Sequence, residues 1–415
     1  MHTLFAGTTQ CVGAVGAKGP FVVAAFRAAL LQVAGRHEIL GSTIVERPSG
    51  LHFTPAPAAA PSVTVLEGRD WQEVYQSLNS SPLSLQRSPW AVFVVPNGSK
   101  LDAWEVLLTT HHALMDGGSI ALFMEELFAA YAAQLAGSQI PSGAFRPLPP
   151  AVETMLPRAL SWSEFQAHQA RVAAEQPRLE PEPHRSAAPH AERSTRSLFF
   201  SLEPEVVQAV ASTASRHGVS LNSWVAACLL QAVEAHSSRR GPFALGTAYS
   251  LRALCDEVDP QDLGCHLAVV ATHHEQCLAR PLPDVAREHA RSLTQAVFDS
   301  ARHPREVELD ALRRSLEPLR EIRAFVADLA YTYAESGLKR AYGPLQIEHF
   351  FASASRALGA SSIVLHGLRH DGVVHFTMNY TSPLQSGQWV NEVTSAFQHV
   401  LRDSVTTEKV AASVA

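Results

Sequence analysis

The run His111-His112-Ala113-Leu114-Met115-Asp116-Gly117 holds the residue types that proton transfer needs. An imidazole titrates at about pH 6.5, so near neutrality it can take a proton from a hydroxyl or amine and return one to a departing thiolate. A backbone N–H at a helix start can stabilise an oxyanion, worth roughly 3 kcal/mol per donor. Together these features suit acyl transfer from a thioester. Successive strand residues face opposite sides, so one of the two histidines would act while the other packs or orients it. A structural or metal-binding role for the pair is the competing reading. Asp116 would stabilise the turn by binding a backbone amide or an arginine, and Gly117 and Gly118 would let a ligand come close to the backbone.

The motif needs elements to position it. Trp90–Val95 and Trp104–Thr110 read as strands joined by a turn at Pro96-Asn97-Gly98, a hairpin whose second strand runs into His111. After Asp116-Gly117-Gly118-Ser119 the apolar residues Ile120, Phe123, Met124, Leu127, Tyr131 and Leu135 recur at helical spacing, and Gly137 stops the helix. The histidines thus sit on a strand-to-helix turn, where a backbone anion site can form. Upstream, the spacing predicts a helix over Phe21–Ala34 stopped by Gly35, strands over Ile39–Val45 and Leu51–Phe53, a Pro/Ala-rich loop over Ala56–Pro61, and a short helix over Asp70–Leu78.

Proline-rich sequence from Ser138 to Thr195, interrupted by a helix over Ser163–Ala174, reads as a crossover between two halves. Beyond it the pattern predicts a strand over Arg196–Leu202 and helices over Glu203–Arg216 and Leu221–Ala235, the second capped by Ser220 or Asn222. Strands over Phe243–Tyr249 and Leu267–Thr272 follow, then helices over Pro281–Ala301 and Glu306–Leu319. Strands over Ser361–Leu368 and Val373–Tyr380 meet at an Asp371-Gly372 turn, and Gln388–Leu401 closes as a helix. The expected organisation is α/β (α+β): an N-terminal lobe over 1–160, a crossover over 161–195 and a C-terminal lobe over 196–415. Trp224 and Phe123 belong to the core.

Composition narrows the function classes. The 415 residues are 46% hydrophobic and 17% charged with net charge −6, enough to bury a large core and without the basic surplus that binding a nucleic-acid backbone requires. No apolar run reaches the roughly 20 residues of a membrane span, and Met1-His2-Thr3-Leu4 does not open a signal peptide. The five cysteines, Cys11, Cys228, Cys255, Cys265 and Cys277, form no C-x-x-C pair and read as reduced thiols of a cytoplasmic protein. A zinc site from Cys265, His266, His273, His274 and Cys277 is weighed and set aside, because structural zinc sites pair their cysteines about two to four residues apart. Basic residues are nearly all arginine, as in high-GC bacterial genomes.

His-His-x-x-x-Asp-Gly between a strand and a helix resembles the signature of the chloramphenicol-acetyltransferase-like superfamily, which includes peptide condensation domains, polyketide-associated acyltransferases and alcohol acetyltransferases. Further stretches are similar to the same group: Arg36-His37-Glu38-Ile39-Leu40, Ser81-Pro82-Leu83-Ser84-Leu85 with Ser88-Pro89-Trp90, His217-Gly218-Val219-Ser220-Leu221-Asn222, Gly246-Thr247 with Leu251-Arg252 and Leu263-Gly264, and Tyr380. The likeness spans about residues 15 to 402. No Asp-Phe-Gly-Trp-Gly is present, which points away from the plant acyl-CoA branch.

The resemblance implies two similar lobes with an active-site tunnel between them. It also implies His112 as general base, Asp116 as mainly structural with Arg252 as ion-pair partner, Gly117 as an amide donor near the reacting centre, and His111 and Gly118 in support. His266, His349, His366, His370 and His375 would line the tunnel or simply pack. No cofactor would be bound permanently, and acyl-CoA or a phosphopantetheinyl thioester would be co-substrate. The expected partners are a small-molecule alcohol or amine acceptor and an acyl or peptidyl carrier protein, with the chain a monomer. The leading expectation is ester formation in bacterial secondary-metabolite or lipid biosynthesis. The alternatives are amide formation and a non-catalytic platform that recruits a partner.

Overall fold

The structure is a computed structural model that describes residues 9–47, 50–55, 62–84, 88–97, 102–138, 143–155, 160–175, 179, 181–239, 241–255, 257–300, 308–317, 321–325, 327–355 and 359–414. The first stretch holds β1 (Gln10–Lys18), α1 (Val23–Arg36), a hairpin of β2 (Ser42–Arg47) and β3 (Gly50–Pro55), β4 (Val63–Val65) and α2 (Trp71–Ser80). The hairpin β5 (Trp90–Pro96) and β6 (Ala103–His111) leads into α3 (Gly117–Leu135). The crossover carries α4 (Val152–Met155) and α5 (Trp162–Glu175). Next come β7 (Ser194–Leu202), α6 (Pro204–Arg216), α7 (Leu221–His236), β8 (Phe243–Ser250), β9 (Leu267–His274), α8 (Leu282–Ser300) and α9 (Leu309–Leu316). The chain ends through β10 (Ala327–Glu335), β11 (Ala341–Tyr342), β12 (Leu345–Ala354), β13 (Ser361–His370), β14 (Val373–Ser382) and α10 (Gly387–Val414).

These elements form two lobes, each a six-stranded sheet with helices. One sheet has the order β11-β12-β1-β6-β5-β4, the other β7-β14-β13-β10-β8-β9. In the first lobe α1 and α3 pack together, and Trp104 sits in an aromatic cluster with Phe21, Phe26, Phe128 and Tyr131. In the second, α6, α7 and α10 bury Trp224, Leu229, Val393 and Phe397. Trp224 and Phe123 are both core residues, as expected. Between the lobes, α2 lies against β1 on one side and β7 on the other.

Several boundaries differ from the sequence reading. Helix α1 runs through Gly35 instead of stopping there, because its last residue, Arg36, is held by Glu126 of α3 at 3.3 Å. The strand expected over Ile39–Val45 begins as a 3-10 turn, Glu38–Gly41, that buries Ile39 and Leu40, and pairs only from Ser42. Strands β1, β4, β10, β11 and β12 were not anticipated. The second lobe is also not the whole of 196–415, since β11 and β12 belong to the first sheet, where β12 lies antiparallel to β1. The expected loop over 56–61, Gly98 of the hairpin turn, the start Met1–Leu4 and the stretch 301–307 lie outside the described residues. Asp371 and Gly372 both take positive φ, 48° and 83°, the pairing a type I′ hairpin requires. No helix among the described residues is long and apolar enough to cross a membrane.

Where β12 ends, polar contacts tie α2 to the first sheet and join the two lobes. The Tyr75 hydroxyl donates to the Val12 carbonyl (3.0 Å) and pairs with Ser353 Oγ (2.7 Å), which also accepts from Asn79 Nδ2. Asn379 Nδ2 donates to the Ala354 carbonyl (2.9 Å), and the Ala354 N–H donates to His366 Nε2 (3.3 Å). His266, His366, His370 and His375 are buried, and His349 pairs with Glu105 at 3.0 Å.

Two histidines carry a pH dependence. Burial pushes the imidazoles of His289 in α8 and His375 in β14 down to about 3, with His274 beside the first and His349 and His370 beside the second. An unfolded histidine titrates at about 6.5. Between those values the unfolded chain binds protons that the folded chain does not. The stability from these groups is therefore complete above pH 6.5 and lost as pH falls toward 3. Urea unfolding at pH 5 should give a free energy lower than at pH 7.5 by roughly 2 kcal/mol per histidine, and His289→Leu should remove its share of the difference.

Candidate active site

Strand β6 delivers the motif. It is buried along its whole length between β1 and β5 and ends at His111. The His111 N–H donates to the Pro89 carbonyl and the His112 N–H to the Thr9 carbonyl, each at 2.7 Å. A turn follows, closed by the Leu114 N–H on the His111 carbonyl at 2.9 Å. Leu114 and Met115 plug into the core of the first lobe, which leaves Asp116 to cap α3.

The two histidines have different surroundings. His111 is buried, and its Nδ1 accepts from the Ala113 N–H at 3.2 Å. The neutral ring therefore carries its hydrogen on Nε2 and donates it to Thr9 Oγ1 at 2.7 Å. Both nitrogens of His111 are engaged in holding the turn. His112 is only half-buried, and its Nδ1 lies 3.7 Å from Cys265 Sγ, across on the second lobe.

Asp116 joins the lobes. One carboxylate oxygen, Oδ1, accepts from the Ser119 N–H at 2.7 Å as an N-cap, and Oδ2 accepts from the His266 N–H at 3.0 Å. The Asp116 N–H in turn donates to the Gly264 carbonyl at 3.0 Å. The expected ion pair with Arg252 is present but long, 3.7 Å to Oδ1. The shorter bonds of Arg252 go to Ser119 Oγ (2.8 Å) and to the Asp262 carbonyl (3.0 Å). Ser119 uses its whole hydroxyl: it donates to the Gly264 carbonyl (2.8 Å) and accepts from the Gly264 N–H (3.0 Å) and from Arg252.

Gly117 and Gly118 begin α3, whose first-turn N–H groups have no acceptor within the helix. A side chain at Gly117 would meet nothing within 4 Å, so the space above that backbone is open. One at Gly118 would lie 3.5 Å from Asp116 Oδ1, ordinary contact. The motif residues His111, His112, Asp116, Gly117 and Gly118 and the distant Arg252 are thus brought together.

Ser119, Cys265 and His266 complete the junction and were not singled out for it by the sequence reading. Their one signal was the Leu263-Gly264 pair, matched beside Leu251-Arg252. The thiols and imidazoles weighed as a zinc site instead lie in separate surroundings. Cys265 faces His112, the His266 ring is buried and held below its usual pKa by that burial, His274 bonds Thr272 and Glu288, and Cys277 is buried. Among the described residues no group of three or more His, Cys, Asp or Glu is placed to hold a metal ion.

Comparison with known proteins places this arrangement. The chain matches the family model described as Condensation domain over residues 12–407, and it belongs to that family, the condensation branch of the chloramphenicol-acetyltransferase-like group, whose general activity is acyl transfer. Cyclosporin synthetase simA of Tolypocladium inflatum is 32% identical over 132 residues, which is 30% of this chain and 1% of the synthetase, so the chain spans about 1% of that relative's length. Two solved structures show the same fold. Polyketide synthase associated protein 5 from Mycobacterium tuberculosis is similar with TM-score 0.67 at 16% identity, covering 97% of this chain and 96% of that one. The first condensation domain of the calcium-dependent antibiotic synthetase, in complex with a substrate analogue, is similar with TM-score 0.70 at 16% identity, covering 96% and 91%.

Removing the Asp116 carboxylate strips a cap from α3, leaves the His266 N–H without its acceptor and takes away the anion beside Arg252. Asp116→Ala should lower the unfolding free energy by about 3 kcal/mol, and Asp116→Asn, which keeps Oδ1 as an acceptor, by about half as much; chemical denaturation of the three proteins checks the order.

Proposed function

We propose that the protein is an acyltransferase in which His112 is the general base. It moves an acyl group from a thioester, acyl-CoA or an acyl chain on a carrier protein's phosphopantetheine, to a small-molecule hydroxyl in bacterial secondary-metabolite or lipid biosynthesis, in the cytoplasm. The observation that carries this reading is the different fate of the two histidines. His111 engages both ring nitrogens in holding the turn, while His112 stands half-buried where the first turn of α3 meets segment 264–266 of the other lobe.

In this reading donor and acceptor meet at His112 in a passage between the lobes. His112 Nε2 takes the hydroxyl proton as the oxygen attacks the thioester carbonyl. The tetrahedral oxyanion is met by the Gly117 N–H at the positive end of α3. The intermediate then collapses, the C–S bond breaks, and the imidazolium returns its proton to the thiolate. Asp116, Gly118 and Arg252 hold the turn and the facing segment. The match to the condensation-domain family favours an amine acceptor, and so amide formation, as the second reading.

The test incubates the protein with acetyl-, butyryl-, octanoyl- and palmitoyl-CoA and with octanoyl-loaded acyl carrier protein. Each donor is paired with 2-phenylethanol or 2-phenylethylamine, and thiol release and product mass are followed. His112→Ala should lose at least about 100-fold in kcat/KM. An ester product supports the first reading and an amide the second; a His112→Ala protein as active as the wild type would remove His112 from the chemistry. His111→Ala should act mainly on stability, lowering the unfolding free energy by about 2 kcal/mol through two lost hydrogen bonds, with a loss of turnover far smaller than that of His112→Ala.

A further inference from the structure

A neutral imidazole carries one hydrogen, and only its bare nitrogen can act as a base. Which nitrogen is bare depends on the partner of the other one. For His112 a partner at Nδ1 is in place: Cys265 Sγ at 3.7 Å, a distance suited to a bond with the large sulfur atom. We propose that Cys265 is the positioning residue of the site, its sulfur accepting the Nδ1 hydrogen of His112 so that Nε2 is the basic nitrogen. The proposal rests on His112 being the base, and it adds a residue from the other lobe to that reading.

Three observations support it. First, the backbone around Cys265 is tied down on both sides. Gly264 is held through both its N–H and its carbonyl by the Ser119 hydroxyl, and its carbonyl also accepts the Asp116 N–H. His266 donates its N–H to Asp116 Oδ2 and accepts the Leu251 N–H at 2.8 Å. All but the last of these bonds run to Asp116 and Ser119, at the start of the helix that follows His112, so the sulfur's place relative to the imidazole is set by the motif itself. Second, a side chain at Gly264 would collide with the His266 ring, so glycine there is what lets that buried ring fold back over the segment beside Cys265. Third, Cys11, Cys228, Cys255 and Cys277 are buried, whereas Cys265 alone among the five is half-exposed, beside a polar ring instead of filling the core.

The proton inventory closes without any change at sulfur. When Nε2 takes the acceptor's proton, the ring becomes imidazolium, with Nδ1–H still directed at Sγ. When Nε2 gives that proton to the leaving thiolate, the starting state returns. Cys265 gains and loses nothing.

The experiment uses the full chain with Cys265→Ala, Cys265→Ser, His112→Ala and the double variant Cys265→Ala/His112→Ala. Long-range 1H–15N correlation of 15N-labelled histidine reads the ring tautomers, with His112 assigned from the spectrum of His112→Ala. Kinetics use the acyl-CoA and acceptor that give most product in the panel above. The wild type and Cys265→Ser should show His112 protonated at Nδ1, and Cys265→Ala should gain the Nε2–H form. Cys265→Ala should lower kcat about 10-fold with KM unchanged, Cys265→Ser should recover most of it, and Cys265→Ala should add no further loss on the His112→Ala background. A Cys265→Ala protein with wild-type tautomer and kcat overturns the proposal, as does Cys265→Ser falling as low as alanine, which would assign the residue to packing. If His112→Ala itself keeps full activity, the base reading fails, and the tautomer spectrum still decides whether Cys265 governs the ring.

Discussion

A single buried carboxylate sets the geometry on which the rest of this site depends. An anion removed from water is tolerated only when donors surround it. Asp116 finds one donor in its own helix, at Ser119, and another in the opposite lobe, at His266. Ser119 repeats the arrangement with a neutral group, spending its whole hydroxyl on Gly264 and Arg252. Apolar faces can slide past one another at little cost, whereas hydrogen bonds weaken steeply with distance and angle. Joining the lobes by directional bonds at the base of α3 is what lets a side chain of one lobe stand at a defined distance from an imidazole of the other.

The motif is held from its other end by β1. Thr9, just before that strand, receives the His112 N–H on its carbonyl and the His111 ring on its hydroxyl. Strand β1 can do this because it lies at the centre of the sheet, buried on both faces, with glycine where neighbours come too near for a side chain. At Gly13 an added Cβ would meet Ile120 of α3 at 2.6 Å. The helix that Asp116 caps therefore rests on the strand that anchors the histidines.

The strand-to-helix setting of the motif was legible from local pattern: an apolar strand, a short polar turn with an aspartate in cap position, and apolar residues at helical spacing. The same holds for α6, α7, the β13–β14 hairpin and the long apolar helices, because each announces itself within a dozen residues. Strand β1 did not, since Gln10-Cys-Val-Gly-Ala-Val-Gly-Ala-Lys18 is poor in the branched and aromatic residues that mark strands, and its place comes from partners far along the chain. The family resemblance drew Arg252 to the motif and brought Gly264 into view. Ser119 and Cys265 stayed hidden, because a serine in a first helical turn and a cysteine beside a histidine acquire their meaning only from contacts that local sequence does not encode.

The return of β12 to the first sheet has a consequence for how the chain is made. Cys11 is paired with Ala354, and Lys18 with Gln346. While the chain emerges from its N-terminus, β1 can pair with β6 early, yet its other edge stays open until β7 to β10 of the second lobe have been synthesised. An unpaired strand edge is a template for intermolecular association. The first lobe, although the first to be translated, is thus completed only after much of the second has been made, and a chain truncated before β12 would keep an aggregation-prone edge along the very strand that supports the histidines.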